Sequence, residues 1–362
     1  MAGSPRSRAT FVHQLLDALT GWQLAREASR AFGQPVAASF KHVSPAGAAV
    51  AGPVDATTAR LYGVEGVNAG GIASAYLRAR EADPRASYGD FAAVSRPVDT
   101  ELADVVARVV CDGIIAPGYE PGTVERLRRK KAGRFVMLEA DESFEPPAYE
   151  VRDVFGMRLI QHHDVPICRA LLENVANGRA LPESARRDLL LGLAVARYTQ
   201  SNSVCFVRDG VTVGVGAGQQ SRIDCTRPAG RKTDVWWLRR HPMVSELAFL
   251  PTVRRQDRIN WQVRLAEGDL TADETGRLSR ALAAPMPCMS EEERVAWLAQ
   301  LGDVAFVSDG ALPFRDNVDE AHRHGVRYIA EPGDSIRSSD VADACREHGI
   351  VLVRTGVRLF RH

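Results

Sequence analysis

The sequence predicts an α/β fold, a sheet layered with helices, on three observations. Residues 304–353 alternate between apolar and amphipathic runs in the order strand, helix, strand, helix, strand, as expected where helices cover a sheet. Residues 204–207 and 211–215 are β-branched-rich runs that flank Asp209-Gly210, a pair suited to the type I′ turn of a hairpin. Residues 183–197 set Leu189, Leu190, Leu193 and Ala194 at helical spacing, an apolar stripe for core packing.

Residues 1–8 read as a short polar tail, followed over 11–32 by an amphipathic helix on the spacing of Leu15, Leu16, Leu19 and Trp22. Gly33-Gln34-Pro35 stops that helix. Residues 36–40 then read as a strand that ends in Lys41-His42, with Pro45-Ala46-Gly47 as the turn behind it. A helix over 72–82, a short strand over 91–94, a helix over 100–110 and an apolar, turn-bounded run over 113–118 come next. Residues 124–131 carry Arg126, Arg128, Arg129, Lys130 and Lys131, a solvated helix face or else an anion site. Strands over 135–138 and 151–160 enclose Pro146-Pro147, the expected junction between a first half over 9–148 and a second over 149–362. Gly214, Gly216 and Gly218 are spaced like a phosphate loop, but no helix opens directly after them. They read instead as points where a ligand or a neighbouring chain approaches the backbone. Trp236 and Trp237 are expected in the core, and the charged stretch 271–293, with prolines in its middle, as a mobile connector.

Charge excludes some classes of partner. Lys and Arg number 46 against 45 Asp and Glu, so no global field favours nucleic acid or a membrane surface. No apolar run approaches the length of a membrane span, and the first residues lack the apolar core of a signal peptide. Cys111, Cys168, Cys205, Cys225, Cys288 and Cys345 are scattered with no Cys-x-x-Cys, which predicts a reduced, cytoplasmic protein.

The chemistry centres on Phe40-Lys41-His42-Val43-Ser44-Pro45-Ala46-Gly47-Ala48-Ala49-Val50. A lone Lys-His pair is usually solvated surface, but this string resembles the signature of the AICAR transformylase family, the folate-dependent formyltransferases of purine synthesis. The resemblance continues in order through Ser87-Tyr88-Gly89-Asp90, Asp112-Gly113-Ile114-Ile115-Ala116-Pro117-Gly118-Tyr119-Glu120 and Leu181-Pro182-Glu183-Ser184. It returns in Tyr198-Thr199-Gln200-Ser201-Asn202-Ser203-Val204-Cys205, Gly216-Ala217-Gly218-Gln219-Gln220-Ser221-Arg222, Pro313-Phe314-Arg315-Asp316-Asn317-Val318-Asp319 and Arg358-Leu359-Phe360.

The resemblance implies two cytidine-deaminase-like three-layer α/β/α halves, and a homodimer with its active sites between subunits. It further implies formyl transfer from 10-formyltetrahydrofolate to the 5-amine of an aminoimidazole carboxamide ribonucleotide. Deaminase zinc needs His-x-Glu and Pro-Cys-x-x-Cys; neither occurs, and Pro287-Cys288 has no second cysteine, so no metal is expected. Matched residue by residue, His42 would be the base and Lys41 the cation that polarises the formyl group or assists the leaving nitrogen. Asn202 would steady the reacting groups; an asparagine there could equally close a turn before a strand. Arg222 and Arg358 match positions that hold the nucleotide, an Arg fork being suited to phosphate. Gly89 and Asp112 match positions around the base and carboxamide. Phe314, Asp316 and Asn317 match positions near the folate, and Asp316 could also be the N-cap of the helix that follows.

Three departures from the family pattern stand out. The family's Arg- or Lys-Tyr-Gly and Asn-Pro-His-Gln segment, which helps grip the nucleotide, is not seen ahead of the first helix. This predicts a weaker hold on the usual nucleotide or a different amine, unless Arg6 and Arg8 substitute. The apolar residue expected beside the pterin is Arg85. The cyclohydrolase domain often fused upstream is not seen either. The alternatives are the same chemistry on another amine in a specialised, secondary-metabolite pathway, or a non-catalytic relative that binds nucleotide or folate.

Overall fold

The computed structural model describes residues 5–163, 165–176 and 178–361, with side chains from Val12 onward. Its first part runs α1 (Pro5–Phe32), β1 (Val36–Lys41), β2 (Ser44–Val50), α2 (Ala56–Tyr62), α3 (Ile72–Ala82), β3 (Asp90–Val94), α4 (Thr100–Arg108), β4 (Cys111–Ala116), α5 (Thr123–Arg128) and β5 (Val136–Glu139). A hairpin of β6 (Tyr149–Val154) and β7 (Met157–His162) follows, separate from the main sheet. The second part runs α6 (Glu183–Arg197), β8 (Val204–Arg208), β9 (Val211–Gly216), α7 (Arg222–Leu238), α8 (Pro242–Ser245), α9 (Arg255–Glu267), α10 (Ala272–Ala281) and α11 (Glu291–Leu298). It closes with β10 (Val304–Ser308), α12 (Asp316–Arg323), β11 (Val326–Glu331), α13 (Ser338–Glu347) and β12 (Val351–Arg354).

Ten strands form one sheet in the order β12-β11-β10-β8-β9-β2-β1-β3-β4-β5. Read outward from the β2–β9 seam, each run of five has the same plan. A hairpin comes first, then a strand antiparallel to its outer member, then two more strands parallel to that one. Because β9 is antiparallel to β2, the two hairpins point to opposite ends of the sheet. The His42-Val43 turn lies at one end and the Asp209-Gly210 turn at the other.

Strand period two sets the layers. Ala37 and Ala49 face a core shared with Ala73, Tyr76 and Leu77 of α3, while Val36, Ala38 and Phe40 face Leu24 and Ala28 of α1 and the leucines of α6. Burying a phenylalanine such as Phe40 contributes about 1.5–3 kcal/mol. The three layers are thus α1 and α6 on one face, the sheet, and α3, α4, α7, α12 and α13 on the other.

Several expectations need correction. Pro45, Ala46 and Gly47 lie within β2, and the chain reverses two residues earlier. Gly47 is there because α3 lies on it: a Cβ would stand 2.3 Å from Ala79 O. Gly214 and Gly216 serve the same purpose, since a Cβ on either would stand 2.1 Å from a carbonyl of α7, in this same chain. In α1, Leu16 and Leu19 are 47% and 51% exposed; the buried face includes Trp22, with Ala18, Gly21 and Ala25 small enough to let the helix lie close against the sheet. The expected connector over 271–293 contains α10 and part of α11, each opened by a capping box, Thr271 with Glu274 and Ser290 with Glu293. Trp236 is buried as expected, and Trp237 exchanges indole-to-carbonyl hydrogen bonds with Trp297 at 2.9 and 3.1 Å. The polar tail expected over 1–8 is helical from Pro5; its first four residues lie outside the described residues. No helix of the described residues is long and apolar enough to cross a membrane.

Candidate active site

Lys41 and His42 stand at the tip of the β1–β2 hairpin. Lys41 pairs with Ser44, leaving His42 and Val43 as a two-residue turn with φ of +56° and +57°. That conformation belongs to glycine and asparagine, and costs about 1–2 kcal/mol per ordinary residue. A buried carboxylate from α1 holds it: Asp17 Oδ1 accepts the Val43 N–H. Above the same carboxylate, His13 Nε2 lies 3.1 Å from His42 Nδ1 and 3.6 Å from Asp17 Oδ2. Lys41 Nζ donates to the Tyr88 carbonyl at 2.7 Å, leaving two of its three N–H groups for a ligand.

The loop that receives Lys41 is fixed from below. Asp90, fully buried, takes Arg80 Nη1 at 2.6 Å, Ser39 Oγ at 2.7 Å and Tyr76 OH at 3.2 Å. Burial opposes the charge on Arg80, but Asp90 together with Tyr76, Tyr62 and Cys111 outweighs it and holds the guanidinium well above its ordinary value. Gly89 keeps φ at +76°, with Asp112 Oδ1 3.6 Å from where its Cβ would be. Asp112 is ion-paired to Lys131 and accepts from Gln14 Nε2 at 3.5 Å, so one member of the basic run belongs to this cluster. Beside it Cys111 is buried, and burial pushes its thiol up to about 12, which removes it as a nucleophile.

Asn202 and Arg222 form a second cluster at the same end of the sheet. Asn202 Nδ2 donates to the Gln219 and Gln220 carbonyls, both at 3.1 Å, and its Oδ1 accepts from Arg222 Nη2 at 2.8 Å. Arg222 opens α7 and is buried. Its Nη1 is ion-paired to fully buried Asp309 and donates to Ser308 Oγ at 2.9 Å. The fork expected to hold a phosphate is thus engaged within the chain. Arg358 is different: it is exposed, and has no ion-pair partner among the described residues.

The residues matched to the folate divide the same way. Phe314 is 52% exposed, with Arg337 5.6 Å above its ring, beside a cavity of about 260 Å³ that Asp340 and Glu347 also line. Asp316 is exposed, but it is the first helical residue of α12, whose N-cap is Arg315, so the expected cap is not formed. Asn317 is buried, bonding Thr226 Oγ1 at 3.0 Å and Asp316 Oδ1 at 2.8 Å, and ties α12 to α7. Arg85 pairs with Glu267 at 3.1 Å on the wall of a larger cavity, about 370 Å³, between the end of α3 and α7. The side chains of Arg6 and Arg8 lie outside the described residues. No three His, Cys, Asp or Glu side chains among the described residues converge as metal ligands.

The two clusters share one end of the sheet but not one point. The first is on β1, β3 and β4, the second at the start of β8 and the end of β10, with β2 and β9 between them. Three strand spacings separate β1 from β8, about 14 Å. Sequence reasoning missed His13 and Asp17. Their i, i+4 spacing on the predicted first helix puts them on one face, but nothing local says that the face meets His42.

A family model described as AICARFT/IMPCHase bienzyme matches residues 11–232. Among curated relatives, the "Bifunctional purine biosynthesis protein PurH" of Magnetococcus marinus is 29% identical over 339 residues, 93% of this chain and 50% of the relative. The proteins of the same description from Acidithiobacillus ferrooxidans and Roseobacter denitrificans are each 28% identical, over 91% of this chain and 48% of their own length. The chain spans about half the length of the curated relatives it matches.

Proposed function

The chain belongs to the AICARFT/IMPCHase bienzyme family, and from that premise we propose that it transfers the formyl group of 10-formyltetrahydrofolate to the 5-amine of an aminoimidazole carboxamide ribonucleotide. The observation that carries the reading is the hairpin tip, where a strained turn that a buried carboxylate holds carries an imidazole directly after the strand-end ammonium of Lys41. Acyl transfer to a weakly nucleophilic aromatic amine needs a base for the amine proton and a positive partner for the formyl oxygen as it gains charge. His42 is the base. Lys41 supplies the charge, on an ammonium steadied by the Tyr88 carbonyl.

Asn202 orients the reacting groups, with its amide fixed by Arg222. Arg358, exposed and without an ion-pair partner among the described residues, takes the phosphate. Gly89 and Asp112 border the base and carboxamide. Phe314 and Asp316 flank the folate, and Asn317 holds the helix that opens with Asp316. The matching strand orders support two cytidine-deaminase-like halves, divided near residue 148.

Reacting atoms must meet at about 3–3.5 Å, and roughly 14 Å lies between the strands that carry His42 and Asn202. We therefore read each site as composite, with the first cluster of one copy facing the second cluster of another. The β6–β7 hairpin supports such a contact, exposing Val151, Phe155, Met157 and Ile160 by 53, 105, 64 and 62%. The test is release of tetrahydrofolate from 10-formyltetrahydrofolate in the presence of the ribonucleotide, read together with sedimentation at assay concentration. Turnover by a dimer is expected. An active monomer would refute the composite site, and no turnover with the ribonucleotide would refute the acceptor.

A further inference from the structure

We propose that His13 and Asp17 of α1 form a proton relay with His42, His13 fixing which nitrogen of His42 faces the acceptor and taking up a proton from its other side. This rests on the formyl-transfer reading of the same site. A base at His42 must present the Nε2 lone pair, so its Nδ1 carries the hydrogen. Among the described residues, the polar side-chain atom in reach of that nitrogen is His13 Nε2, at 3.1 Å. His13 then accepts, and its own hydrogen sits on Nδ1.

When the amine N–H breaks, its proton binds His42 Nε2, and the amine electrons form the bond to the formyl carbon. The hydrogen on His42 Nδ1 passes to His13 Nε2, 3.6 Å from Asp17 Oδ2. One N–H bond breaks and one forms at His42, and the positive charge ends on His13 against a carboxylate that is only 7% exposed. On attack the carbonyl π pair moves to the formyl oxygen. As the carbonyl re-forms, the bond from the formyl carbon to the donor nitrogen breaks, and reversal of the relay returns the proton through His42 to that leaving nitrogen.

The second hairpin separates this role from holding the turn. There Asp188 of α6 accepts the Gly210 N–H at 2.7 Å, as Asp17 accepts that of Val43. Four residues before Asp17 stands His13; four before Asp188 stands Ser184. There the carboxylate, paired with Arg187, holds the turn without a histidine, so the histidine is surplus to that task. It occurs where the turn carries a histidine of its own.

Among the described residues, the charged and titratable groups around the pair are Asp17 on α1, Lys41 on β1, and Asp112 with Lys131 beyond Gln14. Replacing His13 by Ala should lower kcat about ten- to a hundredfold with KM unchanged, the worth of one hydrogen bond to a charged group. The acid limb of the kcat profile should move to lower pH by roughly one unit or more. His13→Gln, which keeps an acceptor there, should recover part of kcat. Asp17→Asn keeps the Val43 bond and removes the charge, and should move the limb the same way.

NMR titration of the His42 ring in intact protein and in His13→Ala needs no turnover, and the midpoint should fall. Unchanged kcat and acid limb in His13→Ala would overturn the relay. If the intact protein transfers no formyl group, the formyl-transfer reading falls by itself, and equal NMR midpoints would then overturn the relay.

Discussion

The two hairpin turns of the sheet are built alike and filled differently. Each has both central residues at positive φ: His42 at +56° and Val43 at +57° in the first, Asp209 at +51° and Gly210 at +72° in the second. Each is braced from a helix on the same face, through a buried aspartate that accepts the N–H of its second residue. The second turn has the residues that the conformation favours. The first has a histidine and a β-branched valine, which it disfavours. One backbone thus supports a relaxed turn at one end of the sheet and a strained one at the other. Strain of about 1–3 kcal/mol per residue persists where the surroundings impose it, and it concentrates at functional sites. The residue that breaks the local rule is the one proposed to do the chemistry.

The largest effect should separate the turns by activity. His42→Ala is expected to lower turnover about a hundred- to ten-thousand-fold, the usual worth of a general base, while Asp209→Ala leaves turnover unchanged. Near-normal turnover in His42→Ala, measured by tetrahydrofolate release, would put the two turns on an equal footing and end the base assignment.

Removing the braces should make the turns look alike in stability. Asp17→Ala and Asp188→Ala each leave a buried N–H without its acceptor, at about 1–3 kcal/mol, which urea denaturation would read. Only the first should also lose activity. A stability loss confined to one of the two would mean that the braces are not equivalent.

Relieving the strain should act with opposite signs. Val43→Gly should stabilise the protein by about 1 kcal/mol, since glycine reaches positive φ without the Cβ penalty. Gly210→Val should destabilise by at least as much. Destabilisation by Val43→Gly would show that Val43 contributes contacts worth more than its strain.

The smallest effect concerns pH. Burial raises the carboxyl of Asp188 above its ordinary value, more than the Arg187 side chain and the Gly210 N–H lower it. A carboxyl raised on folding binds its proton more tightly in the folded chain. Its contribution to stability is therefore present below the unfolded value near 4, and is lost as pH rises through the folded value. Asp188→Asn cannot ionise, so its stability relative to the parent should rise between pH 4 and pH 7, as thermal melts at the two pH values would report. A fall over that interval would reverse the sign assigned to burial.

Periodicity made most of the fold legible. The helices over Ile72–Ala82 and Glu183–Arg197 and the alternation from Val304 onward could be read because each pattern is local, and its physical cause lies within a few residues. The Asp209-Gly210 turn could be read for the same reason. Pro45-Ala46-Gly47 misled, because proline and glycine signal turns locally while here Gly47 answers to a helix that arrives from further along the chain. The helices α10 and α11 were missed although their capping boxes, Thr271 to Glu274 and Ser290 to Glu293, are spelled out in the sequence.

Of the candidate site, the sequence by itself determined which residues stand in the strings that resemble the family, Lys41, His42, Asn202 and Arg358 among them. It did not determine their company. Sheet pairing put β2 and β9 between Lys41 and Asn202, closed Arg222 onto Asp309, and left Arg358 open. Packing of α1 on β1 brought His13 to His42 across 29 positions of chain, and Asp17 to Val43 across 26. Such contacts depend on which helix face meets which strand end, which long-range packing fixes and no local window contains.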